Sequence, residues 1–144
     1  MRHPQRASKA HLLPLPPGQV RDASLMARLA FETCRQGHGG HHQFLQLVRV
    51  TYLSFFMWQT GYGQATYELY RDTEQALEIA IRHAYATGNW SLNGDVIRLM
   101  LEVMRIYDAQ LNSVVGHHYY ENMIRLEQVL RVDIPGKMAR ENAG

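Results

Sequence analysis

The sequence predicts an all-α protein, an up-down bundle of four to five helices with an extended N-terminal arm and a short disordered C-terminal tail. Nearly every apolar run repeats at helical spacing, and the alternating Val, Ile and Thr pattern of a strand is absent from the sequence. Short clusters of Gly or Pro separate the runs, so we expect short loops and antiparallel neighbours. The 144 residues suffice for one domain with its own core.

The arm is predicted over residues 1–21, where basic residues precede a cluster of prolines. Prolines favour an extended, polyproline-like chain over a helix. We therefore expect the arm to be extended or disordered, or to strap its leucines onto the bundle surface. The spacing of Pro14 and Pro17 also matches a PxxP ligand, which is a short and common pattern.

The first helix is predicted to start at Asp22 or Ser24, either of which can cap it, and to end near Gln36. Its larger apolar residues share one face with a threonine: Leu25, Met26, Leu29 and Thr33. A glycine cluster follows, and a second helix is predicted over about 41–60. That helix is apolar almost all round, which is typical of a helix at the centre of a bundle or in a subunit interface.

Three further helices are predicted over about 64–87, 94–114 and 117–132. The third and fourth each carry an apolar stripe that faces a core. The fifth is expected to bury five apolar side chains: Tyr120, Met123, Ile124, Leu126 and Leu130. The bundle is thus predicted over residues 22–132, and a flexible tail over 133–144.

The third and fourth helices meet at a corner that we expect to be structural. Gly88 is a natural left-handed helix terminator. Ser91 or Asn93 can cap the helix that follows. Trp90, between them, is predicted to plug the end of the bundle.

Histidines raise the possibility of a metal site, because five of the eight lie near predicted helix starts: His38, His41, His42, His117 and His118. The two groups could share one end of the bundle or lie at opposite ends, depending on whether the first helix belongs to the core. A metal site in a bundle needs inward ligands such as Glu-x-x-His, and the sequence contains neither that motif nor His-Glu-x-x-His. We therefore expect no metal or other cofactor.

No catalytic residue is predicted either, so we expect a protein that is not an enzyme. Cys34 lies near the C-terminal end of its helix, where the helix dipole disfavours a thiolate. As the single cysteine it cannot form an internal disulfide, which suits a reducing cytoplasm. The run Gly37-x-Gly39-Gly40 lacks the strand and the Lys-Ser/Thr of a phosphate loop, and indicates a turn. Three carboxylates of the third helix are interpreted as surface charge: Glu68, Glu74 and Glu78.

Charge is distributed unevenly along the chain. The arm carries four basic residues and no acid: Arg2, Arg6, Lys9 and Arg21. Residues 22–130 hold eight arginines against eleven Asp and Glu, so the bundle is mildly acidic. A nucleic-acid-binding fold needs a clustered basic face, which this distribution does not provide. The start of the chain lacks a signal-peptide pattern, and its most apolar segment, 44–58, is broken by polar residues, so neither secretion nor a membrane span is expected.

Several short runs together resemble a known group of proteins. These are Gly61-Tyr62-Gly63, Tyr67, Glu74-Gln75-Ala76, the segment 86–92, Tyr107-Asp108-Ala109-Gln110-Leu111 and Arg125-Leu126-Glu127. Over about residues 25–130 the chain resembles short, uncharacterised, all-helical bacterial proteins, some of which are automatically described as helix-turn-helix transcriptional regulators. The resemblance implies a bacterial helical protein and carries over no functional residue.

The residues at the corner between the third and fourth helices do not favour a helix-turn-helix. That motif has a turn of only about three or four residues and a polar or basic second helix. The link from Gly88 to Gly94 is longer, and the helix after it carries Ile97, Met100 and Val103, as a core helix does.

Two functions fit these observations. The first is a non-enzymatic helical protein–protein interaction module that forms a homodimer through its second or fourth helix, because two helices that are apolar on nearly every side are hard to bury in one small bundle. The alternative is a nucleic-acid-associated regulatory protein that uses the basic arm.

Overall fold

The computed structural model describes residues 12–131 together with residues 138, 141 and 142, and over this part of the chain it confirms the all-α bundle. Five helices are present, which we number in chain order: α1 Pro17–Arg35, α2 His41–Gln59, α3 Tyr67–Thr87, α4 Gly94–Leu111 and α5 Gly116–Leu130. The strand-like pairing within the described residues is a single isolated bridge between Pro14 and Val115.

Helix α2 is the centre of the bundle. Helices α1, α3, α4 and α5 all pack against it, and α4 also packs against α1 and α3. Every residue from Thr51 to Met57 is consequently buried. Helix α2 therefore lies at the centre of the bundle, which is one of the two places predicted for such an apolar helix.

Helix α1 starts earlier than predicted, at Pro17 instead of Asp22 or Ser24. Proline suits the first turn because its fixed φ is already helical and its missing N–H would have no partner there. Arg21, assigned to the arm from the sequence, therefore lies on α1. Of the arm itself, residues 1–11 lie outside the described part of the chain. Just before α1, Leu15 is buried against the bundle, whereas Leu12 and Leu13 are exposed, so only one of the three leucines straps onto the surface as expected.

The large apolar face of α1 points away from the core. Leu25, Met26 and Leu29 are each more than half exposed. The face that meets the bundle consists mostly of small side chains: Ala27, Ala30, Phe31 and Cys34. Small residues let two helices approach closely, and the stripe of larger residues is left in solvent.

Helix α5 corrects a second expectation about burial. Leu126 is buried as predicted, but Tyr120 and Ile124 are exposed. The face that meets the bundle carries Tyr119, Asn122 and Leu126. Successive residues of a helix point about 100° apart, so Tyr120 and Ile124 lie to one side of that face.

The corner between α3 and α4 is built around Gly88 and Trp90. Gly88 has φ +76°, a left-handed conformation that glycine adopts without strain, and its N–H donates to the Ala84 carbonyl. Asn93, rather than Ser91, caps α4 by accepting the N–H of Val96 at 3.0 Å. Trp90 packs edge-on against Phe44 of α2, with 5.1 Å between ring centroids.

Three residues of the predicted flexible tail pack on the bundle, and we call Met138, Glu141 and Asn142 the C-terminal segment. All three are helical in conformation, and Met138 is completely buried. The N–H of Met138 donates to Glu74 Oε2 at 3.2 Å, and Glu141 pairs with Arg125 at 3.2 Å. The segment therefore lies between α3 and α5. Glu74, predicted to be surface charge, is buried beneath it.

Candidate interaction groove

An open groove with a cavity volume of about 480 Å³ lies between α1 and α5, and α2 forms its floor. Its lining is mostly apolar: Ala23, Met26 and Ala27 from α1; Leu45, Val50 and Leu53 with His42, Gln46 and Arg49 from α2; Tyr107 from α4; and Tyr119, Met123 and Leu126 from α5. A hydrogen bond of 3.2 Å from Gln19 Nε2 to the Tyr120 hydroxyl joins the two walls. We call this feature the α1–α5 groove.

The groove exposes apolar side chains that a closed bundle would bury. Leu45 on the floor and Met26 on the wall are 40% and 57% exposed. Leu29 follows Met26 by one helical turn and is equally exposed, at 57%. On the other wall, Tyr120 and Ile124 flank Met123. Apolar surface that is contiguous and rimmed by polar residues is typical of a protein-binding site.

Arg49 is the one formally charged side chain in the groove lining. It forms an ion pair with Glu127 of α5. Hydrogen bonding and the positive charge of Arg49 hold the pKa of the Glu127 carboxyl below its ordinary value. Because both side chains remain partly exposed, the guanidinium can also be reached by an acidic residue of a partner.

A buried polar network holds α2, α3 and α4 in register behind the groove. The Ser54 hydroxyl lies 2.8 Å from the Tyr70 hydroxyl and donates to Gln110 Oε1 at 2.7 Å. Gln110 Nε2 donates to two carbonyls, those of Ser54 and Tyr62, each at 3.0 Å. Burial raises the pKa of the Tyr70 phenol to about 12, so it stays protonated at neutral pH. The signal in the sequence that could have revealed this network is one polar residue among the apolar side chains of each helix: Ser54 in α2, Tyr70 in α3 and Gln110 in α4.

A second buried polar contact lies on the opposite side of α2. The Tyr52 hydroxyl donates to Glu74 Oε2, the same oxygen that accepts the N–H of Met138. Burial and the hydrogen bond to Glu74 raise the pKa of the Tyr52 phenol far above its ordinary value. This contact joins α2 and α3 to the C-terminal segment.

The two groups of histidines lie at opposite ends of α2. His41 begins that helix, and His118 Nδ1 is 2.6 Å from the hydroxyl of Tyr62, just beyond its other end. A 19-residue helix is about 28 Å long, so His38, His41 and His42 do not meet His117 and His118. Within the described residues, no three His, Cys, Asp or Glu side chains come together as a metal site would require.

Cys34 is a buried thiol that packs against the glycine turn. Burial raises its pKa to about 11, which disfavours the nucleophilic thiolate. A Cβ at Gly39 would lie 2.5 Å from Cys34 Sγ. Close packing therefore requires glycine at position 39, and the positive φ of +83° at Gly37 favours glycine there as well.

The four basic residues considered for nucleic-acid binding do not form a basic surface among the described residues. Arg2, Arg6 and Lys9 lie outside the described residues, and Arg21 is an exposed residue of α1. Helix α4, the counterpart of a recognition helix, buries Val96, Met100 and Val103 in the core. Across the described helices, none is both long and apolar enough to cross a membrane.

Comparison with known proteins identifies no relative: no family model, no curated protein and no solved structure matches the chain.

Proposed function

We propose that this protein is a non-enzymatic helical interaction module that forms a homodimer through the α1–α5 groove. One observation carries the proposal: the largest apolar stripe of α1, Leu25, Met26 and Leu29, faces solvent beside an apolar groove whose floor is α2. The occupant that we propose for each groove is α1 of the second copy.

The chemistry of α1 fits the groove of a second copy. The groove offers apolar side chains and the positive charge of Arg49. Helix α1 presents its apolar stripe with Asp22 one turn before Met26. Asp22 has no hydrogen bond or ion pair among the described residues, so its carboxylate is available to Arg49 of the other copy. Such charge complementarity sets orientation and specificity more than affinity.

Symmetry also favours this arrangement. Helix α1 is both a wall of the groove and the proposed ligand, so a two-fold axis near α1 makes two identical contacts, as an isologous dimer requires. Six exposed large apolar residues lie on the three helices that border the groove: Leu25, Met26, Leu29, Leu45, Tyr120 and Ile124. The proposed interface thus uses the second helix as its floor. The fourth helix contributes less, because its large exposed apolar residue among those described is Leu101 alone.

The test is the mass in solution of the wild type and of matched charge variants. Size-exclusion chromatography with light scattering at low micromolar concentration should give twice the chain mass of 16.6 kDa. Met26→Glu or Leu29→Glu places a charge in the interface and should give the monomer. Ile79→Glu is the matched control, since Ile79 of α3 is 62% exposed but borders neither wall of the groove. A monomeric wild type, or a control that dissociates equally, would refute the proposal.

A further inference from the structure

We infer that the slot between α3 and α5 is a second ligand site, which binds an amphipathic helical segment carrying an apolar residue and, one turn later, an acidic residue. In this chain the slot is occupied by the C-terminal segment, whose Met138 and Glu141 have that spacing. The segment therefore acts as a tethered ligand that an equivalent segment from another chain can replace.

The slot recognises both the side chain and the backbone N–H of the apolar residue. Met138 is completely buried and belongs to the core. Its N–H donates to Glu74 Oε2 at 3.2 Å, and the Tyr52 hydroxyl donates to the same oxygen. Because Glu74 recognises a backbone N–H, the slot does not require methionine itself, only a side chain that fills the same space.

Arg125 binds the acidic residue of the segment. Arg125 Nε lies 3.2 Å from Glu141 Oε1. The guanidinium carbon of Arg125 is also 3.9 Å from the centroid of the Phe56 ring, and this stacking orients the guanidinium toward the slot. Both charged side chains remain about one-third exposed, at 32% and 30%, so solvent and a competing carboxylate can reach the pair.

At the end of the slot near Gln59, the C-terminal segment does not satisfy every hydrogen-bonding group of the protein. Gln59 Nε2 makes only long hydrogen bonds to the C-terminal segment, 3.4 Å to the Glu141 carbonyl and 3.5 Å to Asn142 Oδ1. Gln59 Oε1 is buried and accepts no hydrogen bond from the described residues. A buried acceptor without a donor is costly, so a segment that supplies a donor here would bind better than the resident one.

The slot is separate from the groove proposed for dimerisation. Tyr52, Gln59, Glu74 and Arg125 are all absent from the groove lining. The inference does not rest on the homodimer, and a variant that disrupts one site should leave the other intact.

The experiment measures binding of a fluorescent peptide with the sequence of residues 134–144 to full-length protein. In the wild type the tethered segment competes at an effective concentration on the order of 1 mM, so the peptide should bind weakly. Met138→Asp in the full chain should expel the resident segment and tighten binding by about tenfold or more. Glu141→Lys in the full chain is the milder variant, which removes only the surface pair with Arg125. It should tighten peptide binding in the same direction.

Specificity is tested by exchanging charges. A peptide carrying Glu141→Lys should bind the Met138→Asp protein about tenfold more weakly than the wild-type peptide, and adding Arg125→Glu to that protein should reverse the preference. Met26→Glu, the groove variant, should bind the peptide as the wild type does. The inference is overturned if neither full-length variant binds the peptide more tightly than the wild type, or if the charge of residue 141 has no effect. If Met138→Asp does not fold, the Glu141→Lys protein alone decides the result.

Discussion

Replacing Gln110 with leucine should test whether the buried polar network holds the helices in place. Gln110 is completely buried and makes three hydrogen bonds that join α4 to α2 and to the loop after it. Leucine has a similar size but neither donates nor accepts. Gln110→Leu therefore changes the hydrogen bonding of the site far more than its packing.

The expected loss in the free energy of unfolding follows from the polar groups that Gln110→Leu leaves unpaired. The Tyr62 carbonyl loses its donor at 3.0 Å, and the Ser54 hydroxyl loses its acceptor at 2.7 Å while keeping the contact with Tyr70. A buried polar group left unpaired costs about 1–3 kcal/mol. We expect Gln110→Leu to lower the free energy of unfolding by about 3 kcal/mol. Ser54→Ala should cost less, about 1 kcal/mol, because the two groups that lose the Ser54 hydroxyl, the Tyr70 hydroxyl and Gln110 Oε1, also lie close enough to pair with each other. The double variant should cost less than the sum, because the two side chains share one bond.

The assay is equilibrium unfolding in urea followed by circular dichroism at a helical wavelength. Gln75→Leu is the matched control, because Gln75 is an exposed glutamine of α3. A surface substitution of this kind should change the free energy of unfolding by no more than about 0.5 kcal/mol. The reasoning fails if Gln110→Leu costs no more than the control, or if the effects of the two network variants are strictly additive.

Three further predictions concern the stability of the fold. Gly39→Ala places a Cβ 2.5 Å from Cys34 Sγ and 2.9 Å from its Cα; thermal unfolding should show a loss of about 1–3 kcal/mol, and an unchanged midpoint would contradict such close packing. Gly88→Val should cost roughly 1 kcal/mol or more, because φ is +76°. Gly88→Asn should cost less in the same unfolding assay, since asparagine tolerates that conformation, and equal losses would argue against backbone strain. Burial raises the pKa of Tyr70 from 10 to about 12, so its contribution is complete below pH 10 and is lost as pH rises toward 12. Urea unfolding should show about 1 kcal/mol of that loss at pH 11, and Tyr70→Phe should have a shallower decline over the same range, whereas an identical decline would exclude Tyr70 as its source.

The five helices and their loops could be predicted from the sequence because each depends on residues close together in the chain. The corner at Gly88 is an example: the left-handed glycine, the cap at Asn93 and the ring of Trp90 lie within six residues. The apolar residues on nearly every side of α2 predicted a place at the centre of the bundle or in a subunit interface, and the packing of the other helices puts it at the centre. Such features are local, and side-chain pattern and backbone preference determine them.

The candidate site could not be predicted in the same way. The sequence places Leu25, Met26 and Leu29 on one face of α1, but that face could equally have met the core. The choice depended on how closely α1 can approach α2, and the small residues Ala27 and Ala30 on the other face allow the closer contact. The groove is apolar and open because the stripe of Leu25, Met26 and Leu29 faces solvent instead of the core.

What the sequence alone determined is therefore the all-helical class and the approximate extent of the helices. Only the tertiary structure decided which apolar residues are exposed and which polar residues are buried. Glu74 is buried because it accepts the N–H of a residue 64 positions away, and Gln110 because it donates to a carbonyl 48 positions away. The physical reason is that helix formation depends on neighbouring residues, whereas the burial of a face or a polar group depends on partners that only the packed chain brings together.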